Sequence, residues 1–212
     1  CLNSTADVTF ADGQVKFIGN PTECALLFAA REAGRDYEAA RRQTEILHVY
    51  PFSSETKYMT TVVKREGEIE VLAKGSPERI MELCSLTAQE REEARQQIVK
   101  FQEKACRVIG FAHRRAEHAA DYEGSRAALE TDMVFDGFTA ITDPIRADVY
   151  QAVERCRHAG IELKMLTGDN LITAQAIADE LGILDAEHIA VEAREIERLS
   201  DEELQKRIPS IR

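Results

Sequence analysis

No stretch of these 212 residues approaches the ~20 consecutive apolar residues that a membrane-spanning helix needs. The first twenty residues also lack the basic start and apolar middle of a secretory signal. Any membrane role must then come from segments outside this sequence. Cysteine pairs are missing as well. The five cysteines, at 1, 24, 84, 106 and 156, are odd in number and form no Cys-x-x-Cys, which argues against zinc and redox motifs. They read as free core thiols of a reducing compartment. The histidines are scattered, and His113 and His118 stand five apart without the glutamate directly after the first that a zinc protease requires, so no metal site is expected there. Basic residues are short: 27 Lys and Arg against 38 Asp and Glu leave a net charge of −11. That argues against nucleic acid, whose phosphates want a basic face.

What is present reads as an ordinary soluble globular chain, 44% hydrophobic and 31% charged, long enough for one large domain or two small ones. Residues 7–18 alternate as a hairpin around the Asp12-Gly13 turn. GNPTE (19–23) then opens a helix, with Asn20 as its cap, Pro21 first inside and Glu23 at capping-box spacing. Residues 45–50 resume strand character. In 58–63, Met59, Thr61 and Val63 face one way and Tyr58, Thr60 and Val62 the other. Glu66-Gly67 turns the chain, and Ile69, Val71 and Ala73 line one face of a strand ending at Lys74. Antiparallel pairing of these two strands brings the start of the first to the end of the second. Phe52, Lys57 and Lys74 should therefore converge at one end of a sheet.

KGSPERI (74–80) puts a strand end, a cation, a bare glycine backbone and a helix start within a few residues. Ser76 is placed to cap that helix and Pro77 suits its first turn. Such a geometry suits an anion, or it is plain solvated punctuation. Thr87 and Glu90 form a second capping box, opening a helix to about residue 105 with Ala94, Ile98, Phe101 and Ala105 on its buried face. Residues 107–114 read as a strand begun by Arg107, and 115–131 as a surface connection. After Met133 the character changes. An apolar strand (134–141), a helix capped by Asp143, a strand (161–166) and a helix from about Leu171 make a strand-helix-strand-helix unit of a parallel sheet. Ligands of such sheets lie beyond the carboxyl ends of the strands, where Asp143 and Thr167-Gly168-Asp169 fall. Those residues read equally as helix caps or as a phosphate and magnesium site. Ser200 and Glu203 cap a last short helix.

Six stretches, in order, resemble the cytoplasmic ATP-binding loop of a P-type cation-transporting ATPase: GNPTE (19–23), FSSETKYM (52–59), KGSPE (74–78), Arg107 before an apolar strand, DPIR (143–146) and MLTGDN (165–170). The GNPTE form is similar to that of calcium pumps, with magnesium transporters close to it. The resemblance implies an α+β fold: an antiparallel sheet flanked by helices, the nucleotide-binding domain, over residues 1–131, and a partial α/β haloacid-dehalogenase-like phosphorylation domain over 132–212. It implies a cytoplasmic loop of an integral membrane protein that couples ATP hydrolysis, through an aspartyl phosphate and with Mg2+, to cation transport. The actuator and transmembrane domains would be its partners, and the transported cation would bind in membrane helices outside this sequence.

By the same resemblance, Phe52 would stack on adenine and Lys74 and Gly75 would line the purine pocket. Glu23 would hold the pocket's other side, and Lys57 and Arg107 would reach the phosphates. Asp143, Thr167, Gly168 and Asp169 would serve the γ-phosphate end in the phosphorylation domain. Two departures stand out. Ser54 occupies a position where many relatives carry a phosphate-contacting arginine. The Asp-Lys-Thr-Gly-Thr and Gly-Asp-Gly-x-Asn-Asp motifs are both absent, so these residues are expected to bind nucleotide without forming a phosphoenzyme. A free-standing haloacid-dehalogenase-class phosphohydrolase would need an Asp-x-Asp pair, and no two aspartates here stand two apart. A non-catalytic interaction domain is the remaining alternative, marked by failure to bind any nucleotide.

Overall fold

A computed structural model describes residues 1–11, 14–116, 126–142 and 144–212. The chain divides into two compact units, residues 1–95 with 108–141, and residues 96–107 with 142–212.

The first unit opens with an extended segment and the hairpin β1 (Asp7–Ala11) and β2 (Gln14–Ile18), paired antiparallel with Val8 opposite Phe17. The expected Asp12-Gly13 turn lies outside the described residues. Helix α1 (Pro21–Glu32) starts as its sequence dictates: the Asn20 side chain accepts from Thr22 N–H, and Pro21 sits in the first turn. A short helix α2 (Tyr37–Arg42) follows, capped by Asp36. Ala6, Val8, Cys24, Leu27 and Tyr37 knit hairpin and helices into a small core.

The main sheet holds β3 (Glu45–Tyr50), β4 (Tyr58–Arg65), β5 (Glu68–Gly75), then α3 (Pro77–Glu82), α4 (Ala88–Gln102), β6 (Cys106–Ala116), the short helix α5 (Arg126–Leu129) and β7 (Val134–Thr142) in chain order; its strands lie in the order β3-β4-β5-β6-β7. The β3–β4, β4–β5 and β5–β6 ladders are antiparallel. Glu66 and Gly67 join β4 to β5 with positive φ at both positions, the geometry whose twist matches flanking strands. The alternation along β4 and β5 is as the sequence predicts. Tyr58, Val62, Ile69, Val71 and Ala73 enter one core with Ile80, Cys84, Leu129 and Met133.

Several local expectations fail, each for a physical reason. Ser76 makes no capping bond; its hydroxyl donates to Glu78 Oε2 instead, at 2.5 Å. Along α4 Ile98 is buried as expected, but Gln102, four residues on, shares its buried face while Phe101 is 40% exposed. The Thr87–Glu90 box forms as expected. Residues 126–130 are no surface connection: Leu129 and Glu130 are buried.

In the second unit α6 (Ala147–His158) begins at Ala147 with Arg146 at the N-cap; Asp143, expected to cap this helix, lies outside the described residues. Helix α7 (Leu171–Glu180) is capped by Asn170, whose side chain accepts from Thr173 N–H. Two short helices follow, α8 (Ala193–Ile196) and α9 (Asp201–Arg207), the latter with the Ser200–Glu203 capping box. Residues 161–166 form no strand, and Leu166 is 95% exposed. A strand exists only through its ladder. Here Lys164 ties the segment instead to the carbonyls of Ile208 and Ile211. Among the described residues no helix is long and apolar enough to cross a membrane.

Candidate nucleotide site

The β4–β5 register builds the first unit's site. Tyr58 stands opposite Gly75 and Met59 opposite Lys74, so the start of one strand and the end of the other meet. The preceding residue, Lys57, has φ +61, a conformation L-residues rarely adopt. Its carbonyl accepts from Ser76 N–H at 2.9 Å and its N–H donates to Ser53 O at 2.8 Å. Gly75 makes this close approach feasible. A Cβ there would fall 2.4 Å from Lys57 O and from Tyr58 Cβ. The glycine is thus required by packing between two backbones rather than by a special dihedral.

Lys74 is no mobile surface cation. It is 8% exposed, and its Nζ lies 2.6 Å from Glu23 Oε1. Burial lowers the ammonium's pKa and the Glu23 carboxylate partly restores it. Glu23 corrects its expected capping role. Its Oε2 accepts from Ser4 Oγ, Thr5 N–H, Thr5 Oγ1 and Ala6 N–H, at 3.0–3.1 Å. The same side chain therefore pins residues 4–6 and pairs Lys74. Burial alone would raise its pKa, but the Lys74 ammonium and the Thr5 donors outweigh that and hold it below the usual carboxylate range. Residues 1–6 are fixed further by Asn3, whose amide donates to Leu72 O and whose carbonyl accepts from Thr61 Oγ1, and by Arg41, which donates to Ser4 O and Ala6 O. A cavity of about 620 Å³ runs beside this strap, touching Lys74, Leu26, Leu72 and Phe111.

Phe52 is 60% exposed, on the loop that leads from β3 into Lys57. The loop closes on itself: Thr56 N–H donates to Ser53 Oγ, and the Ser53 and Thr56 hydroxyls share a bond. The structure thus joins Glu23 to Lys74 directly and Lys57 to Gly75 through backbone. Phe52 belongs to the same loop and is exposed.

Arg107 and Asp169 belong to the second unit and are paired there, with Arg107 Nε 3.1 Å from Asp169 Oδ1 and a further contact through Nη2. Asp169 does not cap α7. It takes Thr167 Oγ1 on its other oxygen at 3.3 Å, and its own N–H donates back to Thr167 Oγ1. Gly168 leaves open space around its Cα. Among the described residues no three His, Cys, Asp or Glu side chains gather as a metal site.

Sequence reasoning missed the anchoring of residues 4–6 by Glu23 and the buried carboxylate of Glu130. The donors of the first lie 17–19 residues upstream, beyond any local period. The second carried one faint signal, an Arg126–Glu130 spacing of four around Leu129.

An antiparallel sheet whose lysine-glycine strand end pairs with a partly buried glutamate, with an aromatic loop leading into the same hairpin, defines a class. A family model described as "P-type ATPase, cytoplasmic domain N" matches residues 1–148, and the chain belongs to that family. Among its relatives, "Calcium-transporting ATPase PAT1" of Dictyostelium discoideum is 36% identical over 99% of this chain and 20% of its own length. "Calcium-transporting ATPase 12, plasma membrane-type" of Arabidopsis thaliana is 34% identical over 100% of this chain and 22% of its own length. "Calcium-transporting ATPase 1" of Lactococcus lactis is 30% identical over 94% and 24%. The chain thus spans about a fifth to a quarter of the length of these relatives.

Proposed function

We propose that the first unit binds ATP at the end of the β4–β5 hairpin, with adenine on Phe52, the purine edge against Lys74, Gly75 and Glu23, and the phosphates toward Lys57. The observation that carries this reading is the Glu23–Lys74 pair at the strand end whose Gly75 meets Lys57, with an exposed Phe52 on the loop that leads into Lys57. Phe52 is 60% exposed, and an exposed aromatic side chain offers stacking surface to a base. One stacked ring and a few cations correspond to about −4 to −5 kcal/mol, roughly millimolar to sub-millimolar affinity.

Arg107 would serve as a phosphate contact, in competition with its pairing to Asp169. Thr167, Gly168 and Asp169, with Asp143, would serve the γ-phosphate end in a haloacid-dehalogenase-like phosphorylation domain. Mg2+ would arrive on the ATP phosphates, as its preference for phosphate and water ligands dictates. The whole protein would then be a cation pump, with calcium the favoured ion because the relatives' names specify it. It would cycle through an aspartyl phosphate and carry this chain as a cytoplasmic loop beside actuator and transmembrane domains.

Titrating ATP while following amide resonances tests the site. Shifts should centre on Glu23, Phe52, Lys57 and Lys74, and Phe52→Ala should remove most of the binding. Shifts mapping elsewhere would sink the assignment, and no binding of any nucleotide would favour an interaction domain.

A further inference from the structure

We propose that Arg126, stacked between Tyr50 and Tyr58 and paired with Glu130, clamps the two ends of the 51–57 loop and so positions Phe52 and Lys57; the inference rests on the nucleotide-binding reading above. Tyr50 is the last residue of β3 and Tyr58 the first of β4, so the two rings mark where the loop leaves and re-enters the sheet. Tyr50 stands opposite Thr60, which puts Tyr50, Tyr58 and Thr60 on one face and Met59 and Lys74 on the other. The clamp therefore grips the loop from the face opposite the nucleotide site.

The guanidinium carbon of Arg126 lies 4.6 Å from the Tyr58 ring centre and 5.3 Å from that of Tyr50, within cation–π reach of both. Its Nε donates to Glu130 Oε1 at 2.7 Å. Glu130, 4% exposed, also accepts from the Tyr58 hydroxyl at 2.7 Å and the Thr60 hydroxyl at 2.5 Å. Arg126 Nη2 is buried and finds no hydrogen-bond partner among the described residues. A guanidinium that gives up a hydrogen bond while lying between two rings is held for its planar face as much as for its charge.

Other contacts hold the loop as well: its internal bonds converge on Ser53, Arg79 Nε donates to Thr56 O at 3.4 Å, and Lys57 O accepts from Ser76 N–H at 2.9 Å. The Phe52 and Lys57 side chains are themselves exposed, so the clamp adds to these backbone contacts by fixing the two ends of the loop. The Tyr58 hydroxyl, its pKa pushed up to about 12 by burial and by the Glu130 carboxylate, stays protonated as the donor that this arrangement needs.

The test uses the full 212-residue chain and three variants. Arg126→Lys keeps a charge beside Glu130 but loses the planar stack. Tyr50→Leu removes one ring and leaves the buried pair intact, and Tyr50→Phe restores the ring. Amide exchange is read at Thr56 and Lys57, whose N–H groups both bond to Ser53, with Val62 in the core of β4 as control. Arg126→Lys and Tyr50→Leu should each speed loop exchange about tenfold with Val62 unchanged, and weaken ATP about three- to tenfold. Tyr50→Phe should match the wild type in both. Unchanged loop exchange in Arg126→Lys and Tyr50→Leu, or Tyr50→Phe behaving as Tyr50→Leu, overturns the clamp. Faster exchange with unaltered ATP affinity overturns its positioning role. A wild type that binds no ATP overturns the nucleotide reading and the positioning with it, while the exchange pattern still decides the clamp. Should Arg126→Lys lose the fold, Tyr50→Leu decides alone.

Discussion

The ammonium of Lys74 lies 2.6 Å from Glu23 Oε1, with side chains only 9% and 13% exposed, so the cation at the end of β5 is already matched before any ligand arrives. A buried pair of this kind contributes little over a neutral one, but leaving one member alone is costly. Glu23→Ala should therefore destabilise the first unit by roughly 3–5 kcal/mol, since it strands a buried ammonium and frees residues 4–6. The pH dependence has a definite sign. Glu23 has a folded pKa below its ordinary 4.5, so its contribution is complete above that value and is lost as pH falls through the lower, folded one. Urea midpoints taken from pH 6 downward should fall more steeply for the wild type than for Glu23→Gln. Parallel curves would mean that the carboxylate does not carry this charge in the folded state.

Gly75→Ala is expected to be severe although the glycine has an ordinary φ. Its new methyl would meet the Lys57 carbonyl and Tyr58 at 2.4 Å, and neither is the far end of a flexible chain. The strand end must move, at a cost of about 2–3 kcal/mol, and the Lys57 turn must move with it. Lys57→Gly acts in the opposite direction on stability, because it relieves the φ of +61 by about 1 kcal/mol. Nucleotide affinity should fall in both variants, so stability and binding separate in Lys57→Gly. Denaturation midpoints and ATP titrations together read this out.

How far the sequence reveals such features depends on the range of the interaction. The meeting of the start of β4 with the end of β5 follows from strand period and hairpin pairing alone, and Met59 does stand opposite Lys74 and Tyr58 opposite Gly75. Asn20, Thr87 and Ser200 cap as read, since caps act within one turn of their own residue. Glu23 misleads for the same reason: a local cap explains its position, and a contact to residues 4–6 leaves no periodic trace. Residues 161–166 have a strand's composition and no ladder, because β-structure is a property of pairs. Glu130 sits in an alanine-rich stretch that reads as surface, and the Tyr58 and Thr60 hydroxyls, 72 and 70 residues away, join the neighbouring Arg126 to make its burial tolerable.

Ser54→Arg should tighten ATP more than adenosine. Ser54 is exposed on the loop between Phe52 and Lys57, the loop proposed to carry the nucleotide. A charge-assisted contact at a partly exposed site is worth about 1 kcal/mol, or roughly fivefold in affinity. Adenosine has no phosphate to meet the new cation, so its affinity should hold. Paired titrations of the two ligands settle the matter, and equal tightening of both would show that position 54 faces away from the phosphates.

These 212 residues should bind nucleotide without hydrolysing it or becoming phosphorylated. The proposed pump cycle passes through a covalent aspartyl phosphate, which would need a carboxylate in line with the γ-phosphorus and a cation to steady the departing charge. No Asp-Lys-Thr-Gly-Thr stands in the sequence. Asp169 is the described carboxylate in the TGD turn, and its geometry is that of a group already engaged. Arg107 holds Oδ1, Thr167 reaches Oδ2, and the residue after it caps α7. An oxygen tied to a guanidinium is a poor nucleophile until that bond is released, and Asp169 is followed by Asn170 rather than by lysine. Labelled γ-phosphate with magnesium and calcium, quenched in acid, should leave the chain unlabelled, and Asp169→Asn should change nothing in that assay. Acid-stable, hydroxylamine-sensitive label on the wild type would mean that a nucleophile is present after all. Its loss in Asp169→Asn would identify that carboxylate, and nucleotide binding without chemistry would no longer describe the chain.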